Sequence, residues 1–179
     1  MKYAAVVVGA LVALVVVVLV IGWMLPVQHR AVREATYRAT PGRLFALIGD
    51  VEAYPRWRSR LQRVETLPDE DGHRVFREIG SDGQITYRVD EMVPERRLVT
   101  RIADPSLPFG GRWTYDLTPS SDSTSTALRI TEDGEVYNPV FRFVSRFVIG
   151  QHATIDRYLL DVGKTLGETT TIQSPRNEE

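Results

Sequence analysis

Two hydrophobic patterns divide the chain at Pro26. Before it, Tyr3 to Leu25 reads YAAVVVGALVALVVVVLVIGWML, an unbroken apolar run without a charged residue. At about 1.5 Å rise per residue the run spans about 34 Å as a helix, against about 30 Å of bilayer hydrocarbon. Its valines would suit a strand in water, but in lipid the backbone must satisfy its own hydrogen bonds, so the run reads as a helix. Trp23 sits near its far end, where an aromatic ring favours the membrane interface. The run is longer than the apolar part of a secretory signal, and LPVQHRAVRE after it offers no small-x-small cleavage site. The reading is an uncleaved single-pass anchor, residues 1–25.

After Pro26 the period changes. AVREATYRA (Ala31–Ala39) alternates loosely, as a first strand. Thr40-Pro41 then supplies an N-cap and a first-turn proline. Leu44, Phe45, Leu47 and Ile48 give that helix an apolar face, and Gly49 ends it. In VEAYPRW, Tyr54 precedes a proline and is held toward extended geometry. A second short helix then carries Trp57 and Leu61. Strand-like pieces follow: LQRVETL, HRVFREIG, QITYRVDEMV, LVTRIA, RWTYDLTP and TALRITEDGEV. PDEDG, SDG, PERR, DPSLPFGG and SSDSTS are the turns and loops between them. Ile85, Tyr87 and Val89 share one face of their strand; Trp113, Tyr115 and Leu117 share another; Leu128 and Ile130 point inward on the last. From Asn138-Pro139 the period becomes helical to about Gly167, with Val140, Val144, Phe147, Ile155, Tyr158 and Val162 on one side. Strands in a run followed by one long helix give an α+β domain over residues 26–169. The polar tail, 170–179, is expected to be disordered.

That order and three of its stretches resemble the START-like (SRPBCC) superfamily, in its polyketide cyclase/dehydrase and lipid-transport branch with membrane-anchored members. The stretches are REATYRATPGRLFALIGDVEAYPRW, GGRWTYDLTP and TALRITEDGEVYNPVFRFVSRFV. Thr40 stands where the family commonly has alanine before the proline. The resemblance covers about Leu25 to Glu168 and implies the helix-grip fold, a curved antiparallel sheet around a long C-terminal helix. It also implies an apolar ligand cavity between them. Tyr87, Val89, Trp113, Tyr115, Leu128, Ile130, Val148, His152 and Ile155 are the residues expected to line it.

Composition narrows the function. The chain has 179 residues, a formal net charge of −1 and no cysteine, so it lacks the basic balance of a nucleic-acid binder. His29, His73 and His152 are scattered and make no metal-ligand spacing; His29 and His73 are expected to be solvated. No GxSxG nucleophile elbow and no phosphate-binding glycine loop is present, and no cofactor is implied. Arg56, Arg58, Arg60 and Arg63 surround Trp57 and read as a solvated helix face, or as contacts to anionic headgroups. Arg142 and Arg146 stand beside Phe141 and Phe143 in a basic, aromatic segment. Leu107 and Phe109 form an apolar loop tip: a pocket lid, a membrane-touching tip or a tucked-in loop.

The expected function is therefore binding of a hydrophobic small molecule, lipid, isoprenoid or polyketide-like, by a domain tethered to a bilayer of the bacterial inner-membrane type. No nucleic acid or metal partner is expected, and no catalytic residue is assigned. A cyclase or dehydrase using His152 and pocket tyrosines is the alternative, and a ligand-free interaction module the third. Arg30, Arg33 and Arg38 after the helix favour a cytoplasmic domain, whereas the short N-tail with Lys2 favours export, so the side stays open.

Overall fold

The computed structural model describes residues 2–81 and 83–175. Helix α1 (Lys2–Met24) is long and apolar enough to cross a membrane, and 6% of its most apolar window is buried against the rest of the chain. Pro26 and Val27 lead directly into β1 (Gln28–Tyr37). Thr40 caps α2 (Pro41–Gly49), its side chain accepting from the Arg43 N–H at 3.3 Å; Leu44 and Ile48, one turn apart, bury the inner face. Asp50 then caps a single 3-10 turn, Val51–Ala53, and α3 (Tyr54–Trp57) follows as one turn started by Pro55.

Six further strands complete the sheet: β2 (Leu61–Glu70), β3 (His73–Gly80), β4 (Gly83–Val93), β5 (Arg97–Ile102), β6 (Phe109–Pro119) and β7 (Thr126–Val136). The order across the seven-stranded sheet is β1-β7-β6-β5-β4-β3-β2, antiparallel at every pairing. All strand-to-strand connections after β2 are hairpins, as the alternation predicts. β2 runs three residues beyond the expected break at Pro68, because the β2–β3 turn needs only Asp71 and Gly72, both at positive φ (51° and 78°). Those angles match the twist of the flanking strands. In the β3–β4 turn, Asp82 lies outside the described residues. The DPSLPFGG loop is half-buried at Leu107 and Phe109, and its Pro108 carbonyl accepts from the Tyr137 N–H at 2.9 Å.

The C-terminal helix departs from expectation. It begins as predicted at Asn138, whose side chain accepts from the Val140 and Phe141 N–H groups. It then breaks into α4 (Pro139–Val144), a π-helical turn (Ser145–Ile149) and α5 (Ala153–Leu166). Gly150, at φ 82°, makes the break; that left-handed geometry is open to glycine and closed to a continuing helix. The two pieces go to different places. α5 lies in the concave face of the sheet, burying Ile155, Tyr158, Leu159 and Val162, and Tyr37 donates to the Leu159 carbonyl at 2.7 Å. Burial of each such side chain contributes about 1.5–3 kcal/mol. α4 instead packs on the last turn of α1: a Cβ on Gly22 would run into the Pro139 carbonyl, and Arg142 donates to the Leu25 carbonyl at 2.7 Å. Val140 and Phe147, expected to share the inner face with Ile155, are consequently exposed.

The tail is ordered as far as it is described. Glu34 and Gln173 exchange both backbone hydrogen bonds, at 3.0 and 2.8 Å, and Ser174 accepts from Arg33. Where disorder was expected over 170–179, the described part of the tail lies along the β1 edge, which offers unpaired N–H and C=O groups. Residues 176–179 lie outside the described residues.

Candidate ligand cavity

The inner face of the sheet holds a cavity of about 110 Å³ beside α5. Its floor comes from alternation. Phe76 faces inward on β3, so Glu78 two residues on must do so too, and Glu78 is 7% exposed. Across the β3–β4 ladder, Ile85 stands opposite Glu78 and Tyr87 opposite Phe76, the two rings stacked at 5.5 Å. α5 contributes Thr154, Arg157, Tyr158 and Asp161, at the spacing of one helix face.

The fourth wall is Arg58. α3 ends at Trp57, and the Arg58 N–H returns to the Tyr54 carbonyl at 2.8 Å while its own backbone turns extended. That carries the side chain inward, where it is 18% exposed and donates to the Glu78 carboxylate. Its guanidinium lies over the Tyr54 ring at 5.0 Å and the Tyr158 ring at 5.1 Å. Tyr54, Trp57, Tyr115 and Trp113 meet the Tyr158 ring in turn, with centroids at 6.4, 5.3, 5.4 and 6.3 Å. Ser59 fixes the helix side by donating through both N–H and Oγ to Asp161, at 2.9 and 3.0 Å.

Burial sets the protonation states. It pushes the Glu78 carboxyl up, while the Arg58 charge and hydrogen bond pull it back without cancelling the shift. It also pushes Tyr54 up to about 12, opposed by Arg58, and holds Tyr87, Tyr115 and Tyr158 well above the ordinary phenol range. At neutral pH all four phenols are protonated: they can donate hydrogen bonds but cannot act as bases. Two donors are unused. The Trp57 Nε1 and the Tyr158 hydroxyl are buried without a hydrogen-bond partner among the described residues. The neighbouring Tyr54 hydroxyl donates to the Ile48 carbonyl at 2.6 Å, and its oxygen remains an acceptor beside the Tyr158 hydroxyl. An unpaired buried donor costs about 1–3 kcal/mol, which an acceptor entering the cavity would recover.

Of the nine residues nominated from the sequence, Tyr87 lines the cavity. Tyr115 and Trp113 stand behind it against Tyr158. Val89, Leu128, Ile130 and Ile155 are packed in the core below. Val148 is 72% exposed, because the π turn and Gly150 take it off the α5 face. His152 precedes α5, half-buried and outside the lining; burial and the Arg33 charge lower its pKa, opposed by Asp156 and Glu132. An acid–base pair of His152 with a cavity tyrosine is therefore not assembled. The other two histidines are less solvated than expected: the His29 ring covers Gly134 and lies 3.8 Å from Glu132, and His73 Nδ1 is 2.9 Å from the Val89 carbonyl. Arg56, Arg60 and Arg63 are exposed as expected, but Arg58 is not.

A seven-stranded antiparallel sheet curved over a C-terminal helix, with a cavity between them, is the helix-grip architecture of START-like proteins. Solved structures agree. A START superfamily protein from Mycobacterium smegmatis superposes with a TM-score of 0.63 at 16% identity, covering 78% of this chain and 97% of that one. The Zhui aromatase/cyclase from a Streptomyces species gives 0.61 at 15%, covering 78% and 92%. Truncated norcoclaurine synthase from Thalictrum flavum gives 0.63 at 12%, covering 80% and 96%. At such identities the likeness is one of fold. Residues 28–158 match the model of the family described as polyketide cyclase/dehydrase and lipid transport, and the chain belongs to that family. No curated protein matches.

Proposed function

We propose that the protein is a membrane-anchored binder of a hydrophobic small molecule that presents an electron-rich polar end to Arg58. The family and the fold support binding of a hydrophobic ligand; anchoring and the polar end are our reading. The observation that carries it is the position of the cavity in the sheet. Leu61, Gly80, Gly83 and Ile85 line it. The pairings put the ends of β2, β3 and β4 that hold these residues at the same end of the sheet as Gln28 and Val136. Gln28 follows α1 by three residues, so cavity and anchor share one end of the domain. A molecule leaving the bilayer beside α1 has the shortest route to Arg58.

Size limits the occupant. The 110 Å³ is below the roughly 150 Å³ of a cavity that takes up benzene, and below the roughly 300–1,000 Å³ of a full small-molecule site. One end of the ligand enters, and the remainder runs out past Leu61 and Ile85. A carbonyl, phenolate or carboxylate at that end would accept from Arg58 and Tyr158.

The test is mass spectrometry of solvent extracts from the full chain purified in mild detergent. An apolar compound should accompany the protein and be absent from Ile85→Trp, which fills the cavity while Arg58 and Glu78 themselves stay unsubstituted. Wild-type protein that carries no such compound and takes up none from a membrane extract would overturn the proposal.

A further inference from the structure

A second cavity, of about 120 Å³, lies where α1 meets the domain. Leu25, Val27 and Val136 form its apolar side; Arg142, Ser145 and Arg146 form its polar side, and no carboxylate lines it among the described residues. Two of Arg142's nitrogens are used, one on the Leu25 carbonyl and one on the Tyr137 carbonyl at 3.3 Å. Its Nε is buried with no hydrogen-bond partner among the described residues. Arg146 is exposed and donates to Gln151 at 2.9 Å. Two guanidiniums thus face one small space with a donor to spare and no neutralising acid. Around it stand Val140, Phe141, Phe147 and Val148, 41–72% exposed, and Trp23, 75% exposed. Apolar side chains this large and this clustered mark a contact surface.

We propose that this junction binds the phosphate of one anionic phospholipid, with Phe141, Phe147 and Val148 set into the acyl layer beside it. The inference rests on α1 spanning the bilayer. With Met24 as the last residue of α1, Leu25 and Arg142 fall at headgroup depth. A phosphate oxygen there completes the donor set of Arg142 with a charge-assisted bond, and Arg146 swings from Gln151 to a second oxygen. The aromatic residues of α4 sit at the boundary such rings favour. The Gly150 break is what makes this possible, since a continuous helix would carry these residues into the sheet.

Native mass spectrometry of the full chain, released from detergent holding equal amounts of phosphatidylglycerol and phosphatidylcholine, reads the outcome. One phosphatidylglycerol should be retained in preference to phosphatidylcholine. Arg146→Gln, which also gives up the exposed hydrogen bond to Gln151, should lower that retention about tenfold, the loss of one charge-assisted bond. Arg142→Lys should lower it while the protein stays folded by circular dichroism. Equal retention of the two lipids, or no effect of Arg146→Gln, refutes the site. Displacement of the lipid by millimolar inorganic phosphate reassigns it to the free ion and refutes the lipid. A doubled mass in the same spectra gives the aromatic face to a second copy of the chain and refutes bilayer insertion. Alkaline carbonate extraction separates the premises. A chain stripped from membranes by carbonate overturns both anchoring and this site, whereas a chain that stays but retains no phosphatidylglycerol overturns the site alone.

Discussion

The Arg58–Glu78 pair makes a quantitative prediction because its partners respond differently to being left alone. Their side chains are 18% and 9% exposed, so solvent screens them little. Removing one member of a buried pair costs about 3–5 kcal/mol, since the other charge is stranded. In Arg58→Met the stranded group is Glu78, whose carboxyl burial already pushes above its ordinary 4.5 and which loses its opposing charge. It can escape by taking a proton. The folded protein then binds that proton at a pH where the unfolded chain does not, so stability rises as pH falls from the folded pKa toward 4.5. The Arg58→Met deficit should therefore be near about 3–5 kcal/mol at pH 8 and smaller at pH 5. In Glu78→Gln the stranded group is Arg58, which cannot shed its proton, and the raised Glu78 titration of the wild type is gone, so that deficit should not shrink at pH 5 and should grow as the wild-type carboxyl takes up its proton. The rings of Tyr54 and Tyr158 face the guanidinium and place the Glu78→Gln deficit near the low end, since a desolvated cation–π contact contributes about 2 kcal/mol. Arg58→Met with Glu78→Leu removes both charges and should recover most of the loss. Urea unfolding of the full chain in micelles, followed by tryptophan fluorescence, measures all four proteins. Deficits under about 1 kcal/mol would mean an ordinary surface pair. An Arg58→Met deficit independent of pH would refute the burial of Glu78.

Tyr158→Phe deletes a buried hydroxyl without a partner, so the apo protein should unfold at an equal or higher urea concentration while retention of the co-purifying compound falls; a stability loss above about 1 kcal/mol would mean that the hydroxyl is hydrogen-bonded in the apo protein. Asn138→Ala removes the acceptor for two N–H groups at the start of α4, a loss of about 1 kcal/mol, read as faster amide exchange over residues 139–149 with α5 unchanged.

The strands were legible because each buries one face, and a period of two leaves little freedom in where they lie. The same rule placed Tyr87 in the cavity and could have placed Glu78, two residues after Phe76 on the same strand. Arg58 was not legible: within PRWRSR it has the composition of a solvated face, and only the extended turn after Trp57 sends it inward. The helix break at Gly150 was hidden by Phe147 and Val148, which continue the apolar period on the wrong body. α4 packs on α1 while Phe147 and Val148 stay exposed beyond it, and periodicity reports that a residue is apolar without reporting what it will meet. The pairing of Gln173 with Glu34 uses the free β1 edge, a feature of the assembled sheet that no local composition encodes.

The passage from α1 to β1 limits how the protein can work. Leu25, Pro26 and Val27 are all that separate the helix from the sheet, and the Val27 carbonyl already accepts from the Val136 N–H at 2.8 Å. Three residues reach about 10 Å fully extended, and this link has no slack to extend. Arg142 on the Leu25 carbonyl and the close seat of Gly22 on Pro139 hold it from the other side. A carrier that ferries cargo between two membranes needs a leash long enough to cross the gap. With α1 in a bilayer, as proposed, this link would make the domain a fixed station there, one that loads from and unloads to that leaflet or hands its ligand to a partner that comes to it.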